Sequence, residues 1–290
     1  MAANENLLNI AAETFQYYGW CCDPVHLAEL RDPGSLCYDF AVSAHPQRGK
    51  FITFEGLDGC GKSTQLKMLA AVLRAHHLPV VVTREPGGTP IGEKIRQLLL
   101  DTGTSALAPL AELALMFASR AQHIKEVIQP ALGEGRIVLC DRFTDSSEAY
   151  QGGGRKLGSE AVLALHRALC GDMQPDLTIL MDSDPVMSVE RARRRNKAGS
   201  PGHKRTEHDE NRFEQESRAF FGRVRNAYLA IAEREPQRVA VVDARGTPEQ
   251  THKRIKEVVG RKLKLGIQPS ALSSQHAAVR VRGEGGRMPK

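Results

Sequence analysis

Two patterns of apolar residues alternate along this chain. Short aliphatic, β-branched runs stand at Phe51-Ile52-Thr53-Phe54, 78–83, 136–140, Leu177-Thr178-Ile179-Leu180-Met181 and 238–242. Each has the length and composition of a buried strand. Between them, apolar residues recur at helical spacing. Leu66, Leu69, Ala70 and Leu73 share one face of 65–77, and Ile95, Leu98 and Leu99 follow. Leu113, Met116, Phe117, Ile124, Val127 and Ile128 do the same behind Pro109, as do Phe213, Phe220, Val224, Tyr228 and Ile231 further on. Helices are also expected at 159–170, 186–195 and 248–264. The alternation predicts an α/β fold, a five-stranded parallel sheet with helices on both faces. Such sheets bind ligands at the carboxyl ends of their strands. Glu85, Asp141, Arg142 and Asp182 fall at those ends.

Three stretches stand outside the pattern. Residues 1–48 form an N-terminal appendage, with one short helix suggested by Leu7, Leu8, Ile10 and Ala11 and no recognisable chemistry. Residues 143–158 are polar and glycine-rich and read as a loop, and 196–209 read as a mobile loop. Residues 266–290 are rich in Ser, Gly and Arg and are expected to be a disordered basic tail. The domain itself then occupies 49–265. Hydrophobic content of 41% and charged content of 26% fit a globular chain. A net charge of +6 suits anionic ligands, nucleotides as readily as nucleic acid. The six cysteines form no C-x-x-C pair and read as reduced thiols of a cytoplasmic protein. Cys21-Cys22 has no His or Cys at ligand spacing. No apolar run approaches membrane-spanning length, and no secretory signal opens the chain.

The strongest local signal is Gly56-Leu57-Asp58-Gly59-Cys60-Gly61-Lys62-Ser63-Thr64. It lies between a predicted strand and a predicted helix, as a phosphate-binding loop must. Its glycines let backbone N–H groups converge on phosphate oxygens, and the helix N-terminus adds partial positive charge. Lys62 is placed to bridge the terminal phosphates and the Ser63 hydroxyl to ligate magnesium. Asp58 is a carboxylate amid anion-binding groups, either turn-forming or wanted by a second ligand.

Further motifs resemble one family. Thr83-Arg84-Glu85-Pro86-Gly87-Gly88-Thr89, Phe117-Ala118-Ser119-Arg120-Ala121-Gln122-His123, Asp141-Arg142-Phe143-Thr144-Asp145-Ser146-Ser147 and Ala149-Tyr150-Gln151-Gly152-Gly153-Gly154-Arg155 closely resemble the signatures of bacterial thymidylate kinases. The resemblance spans roughly 49–265. It implies the P-loop nucleoside monophosphate kinase fold and phosphorylation of dTMP from magnesium–ATP, on the way to dTTP. It also implies a cytoplasmic homodimer that engages small molecules and neither nucleic acid nor membrane. By the same resemblance Asp58 contacts the acceptor's 3′-hydroxyl, and Asp141 helps hold magnesium with Ser63. Arg142 and Arg96 clamp the acceptor phosphate, with Ser146 beside them. Glu85 and Pro86 shape the sugar pocket, Phe117 stacks on the base and Arg120 donates to a base carbonyl. Tyr150 crowds the sugar 2′ position, Gln151 stays near the base or sugar, and Asp243 flanks the adenine.

The family supplies its transition-state arginine either from the phosphate loop or from a lid. Gly59 stands where the loop arginine would be, so the cluster Arg191, Arg193, Arg194 and Arg195 becomes the source, in a lid at about 191–212. Arg195 and Arg193 match best as catalytic groups and Arg191 as a donor-nucleotide contact, with Arg212 further on. Residues 197–208 look like an insertion relative to related lids. Two rival readings are a kinase for another nucleoside monophosphate and a nucleotide-binding regulator without turnover. A nucleic-acid binder using the basic tail has no supporting motif.

Overall fold

The computed structural model describes residues 48–104, 106–198 and 212–264. The expected appendage, most of the lid insertion and the basic tail lie outside the described residues. The sheet is five-stranded and wholly parallel, in the order β2–β3–β1–β4–β5. Its strands are β1 (Phe51–Glu55), β2 (Val80–Arg84), β3 (Ile137–Asp141), β4 (Leu177–Asp182) and β5 (Val239–Asp243). The central strands β1, β3 and β4 are buried on both faces, which is why they read as continuous apolar runs. β2, at one edge, is only partly covered.

Helices α1 (Lys62–Ala75), α2 (Pro90–Leu100) and α3 (Pro109–His123) follow the first two strands. α3 runs on through a π-helical turn, Ile124–Ile128, into α4 (Gln129–Gly133). After β3 come α5 (Thr144–Ser147) and α6 (Ser159–Cys170). α7 (Pro185–Ala198) and α8 (Arg218–Arg234) lie between β4 and β5, and α9 (Pro248–Leu263) closes the domain. One apolar layer packs α1 and α9 against the sheet through Leu66, Leu69, Leu73, Ile255 and Val259. On the other face Phe51, Leu113, Phe117, Val138 and Phe143 form a second cluster, and Tyr150, Phe220, Val224 and Tyr228 a third. Met116 belongs with that third cluster, so the expected inner face of α3 is shared between two cores.

The glycine-rich segment corrects the reading of 143–158 as a loop. α5 continues directly into a π-helix, Glu148–Gly154, most of it buried. The glycines serve close packing. A Cβ on Gly153 would come within 2.6 Å of the Ala227 Cβ, and one on Gly154 within 2.6 Å of the Phe220 ring. Only residues without a side chain let this helix lie so close to α8. The glycine content therefore marks contact with a neighbouring helix, a role that local composition does not distinguish from a turn.

Candidate active site

The phosphate loop leaves β1 at the centre of the sheet and enters α1. Gly56, Gly59 and Gly61 all adopt positive φ, 131°, 80° and 100°, which side chains disfavour. At Gly59 a Cβ would also run into the Ser188 carbonyl oxygen of α7. No arginine fits there without moving that helix, which gives a steric reason for the residue the sequence places at this position. Lys62 is buried, and its Nζ donates to the carbonyls of Gly56 at 3.0 Å and Leu57 at 2.9 Å. The ammonium is thus already folded over the loop. Ser63 Oγ donates to Asp141 Oδ2 at 2.7 Å. This hydroxyl and carboxylate converge beside the loop, and an all-oxygen pair suits a hard divalent cation.

Opposite the loop, β3 ends at Asp141 and Arg142 turns the chain with φ 75°. Its guanidinium is the centre of a network. Nη2 donates to Asp58 Oδ1 at 2.7 Å and to Tyr150 Oη at 3.2 Å, while Nη1 donates to Ser146 Oγ at 2.9 Å and Tyr228 Oη at 3.1 Å. Tyr150 Oη donates in turn to Asp58 Oδ2 at 3.0 Å. Burial works against ionisation of Asp58, but the charges of Arg142 and Lys62, with the hydrogen bonds from Arg142 and Tyr150, outweigh it. They hold the carboxyl well below the usual carboxylate range. Asp58 is therefore an anion tied to Arg142, which joins the phosphate loop to the end of β3.

A second centre lies after β2. Glu85 accepts from Arg120 Nε at 2.7 Å and pairs with His123 Nδ1 at 2.8 Å, both on α3. Burial pushes the Glu85 carboxyl up, yet the Arg120 charge and the His123 bond and charge prevail and its pKa is lowered. Arg120 Nη2 donates to Phe143 O and Ser147 Oγ, and its guanidinium lies 4.5 Å over the Phe117 ring. Nη1 is buried and takes no hydrogen-bond partner among the described residues. Phe117 is fully enclosed, with the His166 ring on its edge at 6.5 Å. Arg96 donates from Nη1 to the Pro86 carbonyl at 3.1 Å.

Other expected site residues are held apart from these centres. Gln151 is buried and donates to Glu112 Oε1 at 2.8 Å. Asp243 is exposed and pairs with Arg245 at 2.8 Å. Arg191 Nε donates to the Met187 carbonyl of its own helix, and Arg193 Nη2 contacts the Glu216 carbonyl at 3.3 Å. The Arg195 side chain lies outside the described residues. Arg212 is buried against the fully buried Glu112 at 2.6 Å and donates from Nε to the Leu99 carbonyl at 2.7 Å. It anchors the chain where it returns from the lid.

Sequence reasoning passed over Glu55 and Glu112 and gave His123 and Tyr228 no role in the site. Glu55 ends β1 and is fully buried. Burial and then the charge of Asp145 push its carboxyl up to about 8. The signal was present: a carboxylate closing an apolar strand, and another on the inner face of α3 beside Leu113, are residues that go unburied unless partnered.

A nucleotide-phosphate loop faced across the carboxyl edge of a parallel sheet by a second set of arginines defines the class, a nucleoside monophosphate kinase fold. Comparison with known proteins narrows it. The family model for thymidylate kinase matches residues 54–255. The thymidylate kinase of Trichlorobacter lovleyi is 47% identical over 217 residues, covering 75% of this chain and 100% of that protein. That of Pseudomonas putida is 50% identical over 196 residues, covering 68% and 88%. A solved thymidylate kinase from Ehrlichia chaffeensis is similar with a TM-score of 0.57 and 32% identity, over 73% of this chain and 98% of its own. The chain belongs to the thymidylate kinase family and is a phosphotransferase.

Proposed function

We propose that the protein transfers the terminal phosphoryl group of ATP to dTMP, in the cytoplasm and as a homodimer. One observation carries the choice of acceptor. Arg120 is saturated by Glu85, Phe143 and Ser147 at every nitrogen except Nη1, a buried donor with no partner among the described residues. A buried donor left unmade costs about 1–3 kcal/mol. A pyrimidine carbonyl accepting from it would relieve that cost. Phe117, fully enclosed beneath the same guanidinium, would become a stacking surface for the base only when its ring is uncovered on acceptor binding.

We carry the remaining roles over from the family resemblance. The loop N–H groups and Lys62 take the donor's phosphates, with Lys62 leaving the loop carbonyls to do so. Ser63 and Asp141 would hold Mg2+ and its waters. The ion would supply charge neutralisation on the donor's phosphates. Arg142 and Arg96 bind the acceptor phosphate, and Asp58 holds Arg142 in place while facing the sugar. Asp243 and Arg191 face the donor's adenosine side, and Arg193 and Arg195 belong to the lid. Phosphoryl transfer needs no covalent intermediate here, because positioning and charge stabilisation carry it. Ile91 and Leu98 of α2 and Leu110 of α3 are large exposed apolar residues, which supports a protein–protein surface on these helices. No described helix is long and apolar enough to cross a membrane.

The deciding experiment is a coupled assay of ADP release against a panel of nucleoside monophosphates, with sedimentation to give the assembly state. A preference for dUMP, dCMP or a purine monophosphate over dTMP would overturn the assignment. Equal turnover without any monophosphate would favour an ATPase. Tyr150→Ala is expected to raise activity on the ribonucleotide relative to dTMP. A thymine methyl separates substrates by only about 1–3 kcal/mol, so ribose rejection needs its own steric source. An unchanged ratio of kcat/KM values would reject that role. A protein lacking residues 1–47 is expected to remain active, since that segment carries no motif and precedes the alternating strands and helices. Loss of activity from a folded deletion would make the N-terminal segment part of the site or of the dimer.

A further inference from the structure

We propose that Glu55 is a positioning residue that fixes the Arg142 guanidinium and so sets the affinity for the acceptor's phosphate. The inference rests on the reading of Arg142 as the phosphate clamp.

Glu55 sits one residue ahead of the phosphate loop and is fully buried, so it acts through neighbours. Three donors reach it. Phe143 N bonds Oε1 at 2.7 Å, while Ser146 Oγ and Tyr228 Oη bond Oε2 at 2.5 Å and 3.2 Å. The same two hydroxyl oxygens receive Arg142 Nη1, at 2.9 Å and 3.1 Å. A hydroxyl has one proton. When that proton points to the Glu55 oxygen, the lone pairs point to the guanidinium. Above about pH 8, where the Glu55 carboxyl is ionised, it takes the Ser146 proton, and Tyr228 gives its proton either to the same oxygen or to Ser146 Oγ at 2.8 Å, so both hydroxyls turn lone pairs to the guanidinium. Arg142 Nη1 then meets acceptors, as its Nη2 does at Asp58 and Tyr150.

The backbone is tied to the same strand end. Arg142 adopts φ 75°, in the left-handed region, with a side chain that gains nothing from it. Its N–H donates to Phe54 O at 3.0 Å, and the next N–H, of Phe143, donates to the Glu55 carboxyl. The last two residues of β1 thus hold the peptide on each side of the Arg142 Cα. Asp145, the acid nearest Glu55 in charge effect, has its own cation in Arg238, at 2.7 Å and 2.9 Å. That leaves the donors around Glu55 committed to Arg142.

The experiment compares two ligands that differ by one phosphate. Wild-type, Glu55→Gln, Tyr228→Phe and Arg142→Ala proteins are titrated with dTMP and with thymidine by calorimetry, at a pH above about 8 where the Glu55 carboxyl is ionised. An amide at position 55 offers a donor where an acceptor is needed. Glu55→Gln is expected to raise the Kd for dTMP about tenfold or more, the scale of one hydrogen bond to a charged group. Its Kd for thymidine should stay within about twofold. Tyr228→Phe should show the same selectivity at smaller size. Wild-type dTMP affinity in Glu55→Gln, or equal losses for dTMP and thymidine, would overturn the inference. In the second case Glu55 would be a plain structural tie. Should Glu55→Gln fail to fold, Tyr228→Phe combined with Ser146→Ala removes the relay, and the same selective loss or its absence decides. Arg142→Ala separates the two levels. If it loses dTMP while Glu55→Gln does not, the clamp stands and the positioning role falls. If it binds dTMP normally, the clamp reading fails and takes this inference with it.

Discussion

Lys62→Ala is expected to lower turnover by about 10²-fold or more while leaving the fold intact, the scale seen when one preorganised donor at developing charge is lost. The ammonium spans the loop, bonded to the Gly56 and Leu57 carbonyls. Moving from neutral carbonyls to phosphate oxygens exchanges bonds with one charged partner for ion pairs. Both carbonyls lose a partner in the variant, which should cost about 1 kcal/mol of stability. That is too little to unfold a sheet with three buried clusters around it. Steady-state turnover with dTMP and ATP, read beside a thermal melt, checks both halves. Near-wild-type turnover in a folded variant would remove Lys62, and the loop with it, from the chemistry.

Arg195→Ala is expected to reduce kcat by about 10²-fold or more, within or somewhat below the range of arginine fingers, with the KM for dTMP little changed. The loop cannot supply the charge, because Gly59 is pressed against the Ser188 carbonyl. A lid arginine is the remaining source, and closure over ATP would exclude water as it arrives. Arg193→Ala should cost less, since Arg193 is exposed and contacts the Glu216 carbonyl. Arg212→Ala separates anchoring from chemistry. Its partner Glu112 is fully buried and also receives Arg155 and Gln151. Removing one cation from a buried pair costs on the order of 3–5 kcal/mol, reduced here because Arg155 remains. The expected signature is a lowered Tm. If Arg193→Ala and Arg195→Ala both turn over normally while Arg205→Ala does not, the insertion has shifted the catalytic arginine down the chain.

The local parts of this protein were legible in the sequence. The strands, the phosphate loop and α1 each follow from residues within a few positions of one another. Hydrophobic period and glycine spacing act at that range. The placement of Glu85, Asp141 and Arg142 at strand ends followed from the same alternation. Arg120 was legible in kind as an arginine on the inward face of α3, but its left-over donor was not, because that depends on what Glu85, Phe143 and Ser147 take.

Tertiary structure decided the rest. The 143–158 segment has a loop's composition, yet α8 accepts it as a helix because Gly153 and Gly154 allow contact at Ala227 and Phe220. Glu112 reads as a lone acid in an apolar helix start until the fold brings Gln151 and Arg212 to it, 39 and 100 residues away. Glu55 meets Tyr228 across 173 residues and Ser146 across 91. A periodic apolar face is a property of neighbours in sequence. Whether a buried carboxylate is compensated is a property of neighbours in space, and the chain must fold before those partners exist.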